Sequence, residues 1–136
     1  MLKHTETIRV RYGETDQMGF VYYGNYALYY EVGRVELLRK LGIAYSELEK
    51  QGIGLPVVSF EIKYLKPAKY DDLIAVETRI SEKPSTKISF HYTCRDQHGN
   101  ELNTGKVILV FINIVSGKPM RCPKNLEALF NEHLSE

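Results

Sequence analysis

Polar and apolar residues alternate along much of this chain. Glu6 to Tyr12 sets charged residues against β-branched or aromatic ones, the pattern of a half-buried strand. Val58, Phe60, Ile62 and Tyr64 alternate with Ser59, Glu61 and Lys63, and Ile74, Val76, Thr78 and Ile80 repeat the period of two. Ile88, Phe90, Tyr92 and Cys94 do so again, facing away from Lys87, Ser89, His91 and Thr93. Val107 to Ile112 is a continuous apolar run ending a strand that begins after the Asp96 to Asn100 turn, which predicts a central strand buried on both faces.

Other stretches follow a helical period. Asn25 to Leu41 predicts a helix, with Asn25 to cap its start, Gly42 to end it, and Glu36 and Lys40 spaced as an i,i+4 pair. At 100° per residue, Tyr26, Tyr30, Gly33, Leu37 and Leu41 form one stripe, while Leu28, Val32 and Val35 lie nearly opposite. A helix apolar on both sides is expected to be buried. A short helix is expected around Tyr45 to Gln51, and Leu126, Leu129, Phe130 and Leu134 after Pro123 predict an amphipathic one. One strand, one long helix and about four antiparallel strands make an α+β architecture in which a curved sheet wraps the helix. No repeat or linker divides the chain, so residues 1–136 read as one domain.

Composition narrows the function more than the fold. The 136 residues are 43% hydrophobic, enough for one modest core. A net charge of +1 gives no pull toward nucleic acid or a lipid surface. No apolar run approaches the roughly 18 residues of a membrane span, and MLKHTETIRVRYGE has no apolar signal core, so a soluble cytoplasmic location is expected. Cys94 and Cys122 are too few and too far apart for a disulfide scaffold or a four-ligand zinc site, and they read as free thiols. The four histidines are mutually distant, no GxSxG occurs, and the GxG at Gly52 to Gly54 continues into Leu55 and Pro56. Serine hydrolase, dinucleotide and nucleoside triphosphate chemistry are thereby set aside, and no metal or cofactor is expected.

The unusual local feature lies between residues 12 and 30, where six of the ten tyrosines surround Glu14, Asp16, Gly19 and Gly24. Tyrosines also serve strands and interfaces, and an aspartate in a turn can simply accept nearby backbone N–H groups. The order of residues adds to this picture. YGETDQMGFVYYGNYALYYE, from Tyr12 to Glu31, resembles the signature of the YbgC-like and 4-hydroxybenzoyl-CoA thioesterase family, a D-x-x-G-x-V-x-Y/H-x-x-Y run between a strand and a central helix. Here that run is Asp16, Gly19, Val21, Tyr23 and Tyr26. LPVVSFEIKYLKPAKYDDLIAV, from Leu55 to Val76, is similar to the family's next strand, proline turn and return strand.

The resemblance implies the hotdog fold, an antiparallel sheet wrapped around a long central helix and paired with a second subunit as a dimer or a dimer of dimers. It implies an acyl-CoA thioesterase in which Asp16 either attacks the thioester carbonyl or activates a water that does so. It also implies that the backbone N–H of Tyr23, at the helix start, steadies the developing oxyanion. Gly19, Val21, Tyr22, Tyr26 and Ser59 are the substrate-binding candidates that go with this reading. Many YbgC-like members carry His where this chain has Tyr23, and a neutral tyrosine is no general base near pH 7, which shifts the burden to Asp16.

Among the remaining charges, Lys83, Ser85 and Lys87 in the EKPSTK turn, with Arg121 and Lys124 after the last strand, are candidates for the coenzyme A phosphates. Glu31 and Arg34 are expected to form a structural ion pair, and Asp71 and Asp72 to be solvated loop residues. Hydrolysis of acyl groups from acyl carrier protein, or a non-catalytic acyl-CoA-binding subunit, stand as the alternatives.

Overall fold

In the computed structural model, which describes residues 1–134, five strands form one antiparallel sheet. They are β1 (Leu2–Arg9), β3 (Val57–Tyr64), β4 (Leu73–Ile80), β5 (Lys87–Arg95) and β6 (Glu101–Val110), in the spatial order β1-β4-β5-β6-β3. A two-residue ribbon, β2 (Ile53–Gly54) with β7 (Ile112–Asn113), was not legible in the pattern. The helices are α1 (Tyr26–Lys40), α2 (Tyr45–Lys50) and α3 (Lys124–Leu134). The architecture is α+β with the hotdog arrangement of one long helix against an antiparallel sheet.

β1 lies earlier than its alternation suggested. It pairs with all of β4, from Leu2↔Ile80 to Arg9↔Leu73, after which Val10 N–H donates to the Asp72 carbonyl and the chain leaves the sheet. Tyr12–Glu14 is therefore a 3-10 turn, not the end of a strand. Asp72, a partly exposed turn residue as expected, is also bonded in that crossing. Its carboxylate accepts from the Lys69 N–H at 2.8 Å and from the Gln97 amide at 3.0 Å.

α1 lies on one face of the sheet, and side-chain size decides how closely. Tyr30 stacks on Tyr92 with ring centroids 4.0 Å apart and donates its hydroxyl to Asn103 Oδ1 at 2.5 Å. A Cβ on Gly105 would collide with the Tyr30 ring, so glycine there is what lets the aromatic lie flat on β6. Tyr30 and Leu37 are essentially buried, and an apolar side chain such as Leu37 contributes about 1.5–3 kcal/mol on leaving water.

The opposite side of α1 is open. Leu28 and Val32 are 57% and 40% exposed, which corrects the expectation of a helix buried all round. The sheet covers one side only, and hydrophobic periodicity cannot say whether the other side is covered by the same chain. β6 is corrected for the same reason. It is second from the sheet edge, and Val107 and Leu109 are buried while Ile108 and Val110 are half-exposed on the uncovered face. Glu36 pairs with Arg39 at 3.3 Å rather than with Lys40. Asn25 makes no side-chain cap; its amide reaches back to the Glu14 carbonyl at 2.8 Å.

The edge strand β3 has little cover within the chain. Val58 is 56% exposed and Phe60 40%, and beyond Tyr64 the apolar Leu65 is also open. No helix of the described residues is long and apolar enough to cross a membrane.

Candidate active site

Between β1 and α1 the chain folds into a compact loop that presents Asp16. The Asp16 N–H donates to the Phe20 carbonyl at 2.8 Å, and the Gly19 N–H donates to the Asp16 carbonyl at 3.0 Å. Gly19 has φ +83°, a left-handed backbone that a residue with a Cβ adopts only with strain. Asp16 Oδ1 accepts from the Met18 and Phe20 N–H groups at 2.9 and 3.3 Å. Its second oxygen, Oδ2, has no hydrogen-bond partner among the described residues, and Asp16 lines a cleft of about 380 Å³.

Phe20, Val21, Tyr23, Tyr26, Tyr64 and Leu65 supply much of the wall of that cleft. A larger hollow of about 440 Å³ lies against the sheet, lined by Glu61, Arg79, His91 and Lys106 among others. Its charged lining offers an acyl chain little, so the smaller, aromatic cleft is the candidate site. No group of three or more His, Cys, Asp or Glu among the described residues is arranged to hold a metal.

Tyr23 opens a short 3-10 turn, Tyr23–Asn25, that runs directly into α1. An N–H at the first position of such a turn has no carbonyl to meet inside the helix, and the Tyr23 N–H has no acceptor among the described residues. The helix behind it places partial positive charge at the same end. The following peptide is held as well, because the Tyr64 hydroxyl donates to the Tyr23 carbonyl at 3.1 Å. The Tyr23 ring itself is 63% exposed and packs on Tyr22 at 4.6 Å and edge-on to Tyr64 at 6.4 Å. Tyr26 is buried, and burial raises its phenol to about 12, so it enters the cleft wall as a neutral group.

The sequence candidates divide into three places. Asp16, Gly19, Val21, Tyr22, Tyr23 and Tyr26 are brought together in or beside the cleft. Ser59 stands opposite Ile108 on the sheet face turned away from α1, outside the cleft within one chain. Lys83, Lys87 and Arg121 gather at one end of the sheet, where the Cys122 N–H donates to the Ser85 carbonyl at 2.6 Å. That end is the far one from Asp16, roughly 25 Å away along eight residues of strand.

Phe20, Tyr64, Leu65 and Glu14 were not among the sequence candidates for the site. Tyr64 and Leu65 stand just before the proline turn, and that turn was the available signal for them. Glu14 sits beside Asp16 in sequence, but its contact with Tyr29 is made only after the loop has folded. Glu31 and Arg34 form no ion pair among the described residues, which corrects that expectation. Arg34 turns inward against the Tyr92 and Tyr45 hydroxyls and is 8% exposed, while Glu31 stays in solvent.

A sequence model of the thioesterase-like superfamily matches residues 10–130. The chain belongs to that superfamily. Its enzyme class is accordingly thioester hydrolase. Against the YneP protein of Bacillus subtilis it is 46% identical over 85 residues, which span 62% of each chain. It is 33% identical over 125 residues, 91% of each chain, to the acyl-CoA thioesterase YbgC of Haemophilus influenzae. A DHNA-CoA thioesterase from Staphylococcus aureus superposes with a TM-score of 0.95 at 30% identity, over 99% of this chain and 93% of that one.

Proposed function

We propose that residues 1–136 form one thioesterase unit that hydrolyses an acyl-CoA thioester to free acid and coenzyme A, with Asp16 as nucleophile or general base. The observation that carries this reading is the Asp16 carboxylate, fixed through Oδ1 and open at Oδ2, on the wall of a cleft lined mainly by aromatic and apolar side chains, Tyr23 among them. In the general-base form, Oδ2 takes a proton from water as the hydroxyl oxygen bonds to the acyl carbon. In the nucleophilic form, Oδ2 bonds to that carbon and water later cleaves the anhydride. Either way the C–S bond breaks and the thiolate leaves to be protonated, with the carbonyl oxygen held by the Tyr23 N–H.

Among the described residues, the cleft of one chain is lined by a single cationic group, Lys66, for the several negative charges of coenzyme A. A second copy supplies others in the arrangement we propose. The open edge of β3 presents unpaired backbone groups, and an antiparallel copy laid along it continues the sheet. Antiparallel pairing sets the far end of one sheet beside the near end of the other. The basic end carrying Lys83, Lys87 and Arg121, and the Ser59 strand, would then approach the cleft of the first copy. The active form is a dimer, or a dimer of dimers, of a cytoplasmic enzyme.

A thiol-release assay over a panel of acyl-CoA and acyl carrier protein thioesters tests the function. Release from at least one aromatic or fatty acyl-CoA is expected. Release from acyl carrier protein alone would move the carrier assignment, and no release from any member would overturn the reading. Tyr23→Phe refines it. That change keeps the backbone donor, so most of the rate is retained and substrate preference shifts. Removing one transition-state donor costs roughly 10² to 10³ in turnover, so a loss of that size with binding unchanged would place the phenol in the chemistry.

A further inference from the structure

Asp16 and the Tyr23 N–H sit on opposite arms of one loop, and something must hold the arms in register. Glu14 touches both. Its carboxylate Oε1 accepts from the Arg11 backbone N–H at 2.7 Å and from the Tyr29 hydroxyl at 3.0 Å, and Oε2 accepts from the Arg11 guanidinium at 3.2 Å. Its main-chain carbonyl accepts from the Tyr22 N–H at 2.9 Å and from the Asn25 side-chain amide at 2.8 Å. The side chain thus fastens the arm leading to Asp16 onto α1, because Tyr29 is a buried α1 residue. The carbonyl fastens the arm that carries Tyr23 to the same residue.

We propose that Glu14 is a positioning residue for thioester hydrolysis, setting through Arg11, Tyr29, Tyr22 and Asn25 the separation of the Asp16 carboxylate from the Tyr23 N–H. This rests on the assignment of Asp16 and the Tyr23 N–H to the chemistry. The environment of Glu14 fits a group kept ionised for this purpose. Burial alone would raise its carboxyl, yet the Arg11 N–H, the Tyr29 hydroxyl and the Arg11 guanidinium together hold it below the ordinary glutamate value. Tyr29 is pushed up by burial and by the Glu14 carboxylate, so it remains a donor throughout the neutral range.

The energetic logic is one of alignment. A group that neither touches the substrate nor moves a proton acts on kcat by misplacing those that do, and a displacement of about 1 Å can cost as much as 10²-fold. Substrate affinity, set by the aromatic cleft wall, has no direct share in this contact. Glu14→Gln keeps an oxygen that accepts from both the Arg11 N–H and the Tyr29 hydroxyl, and loses only the Arg11 guanidinium, which is exposed.

The test is steady-state kinetics on five variants of the full chain with one acyl-CoA that the wild type hydrolyses, well below each melting temperature. Glu14→Ala is expected to lower kcat by roughly 10- to 100-fold with KM within about threefold of wild type. Glu14→Gln is expected to restore kcat to within about fivefold of wild type. Tyr29→Phe lowers kcat in the same direction, and adding it to Glu14→Ala changes little further, since the two share one contact. If Glu14→Ala does not fold, Tyr29→Phe decides alone.

Asp16→Asn separates the two levels. Wild-type turnover in Asp16→Asn defeats the assigned chemistry and this inference with it. An inactive Asp16→Asn beside a Glu14→Ala, or a Tyr29→Phe, with kcat within about threefold of wild type defeats the positioning role alone. A rise in KM with kcat unchanged also overturns it, because that is the mark of lost binding rather than lost alignment.

Discussion

Asp16→Asn is expected to abolish turnover while leaving the fold and substrate binding in place. Asparagine keeps the size of the side chain and an oxygen at Oδ1, so the acceptor for the Met18 and Phe20 N–H groups survives and the loop has no reason to open. What is removed is the negative charge at Oδ2, the atom without a partner among the described residues. An amide there neither attacks a carbonyl carbon nor takes a proton from water. Loss of general-base action alone is worth about 10² to 10⁴ in rate. The measurement is kcat on the best acyl-CoA of the panel, with binding of a non-hydrolysable analogue as control and intact mass to exclude deamidation back to aspartate. Turnover like that of the wild type would contradict both assigned roles.

Breaking the open edge of β3 is expected to have the other large effect. Val58 is exposed and stands at a register shift between β3 and β6, so a charged residue there disturbs little inside one chain. Lysine on a strand edge is a common block to further pairing. Val58→Lys is therefore expected to give the mass of one chain by light scattering at micromolar concentration, where the wild type gives at least two. If the basic end of a second copy holds the coenzyme A phosphates, kcat/KM falls with it by about tenfold or more, tenfold corresponding to about 1.4 kcal/mol. A wild-type monomer that turns over at that concentration would defeat the shared cleft.

The alternation of β4 and β5 was plain in the chain because each has one face buried on the core and the other partly exposed. The loop from Asp16 to Tyr26 was legible only through the order of its residues, since composition alone fits an ordinary turn. Long-range geometry was not legible. The placing of Lys83, Lys87 and Arg121 at the far end of the sheet follows from strand order, which no local pattern encodes. The link from Glu14 to Tyr29 joins residues 15 apart, across a turn whose shape is set by other bonds. The open sides of α1 and β3 read as core because an apolar residue looks the same whether its cover comes from its own chain or from another.

The two cysteines have a practical consequence for detecting a released thiol. Cys94 and Cys122 are both unpaired and buried, and burial raises their thiols to about 12 and about 11. At neutral pH almost none of either exists as the nucleophilic thiolate, and neither is open to a bulky disulfide reagent. Colour formed by such a reagent during turnover thus reports coenzyme A and not the enzyme. In denaturant the same reagent titrates two thiols per chain, so one reaction counts both product formed and protein unfolded.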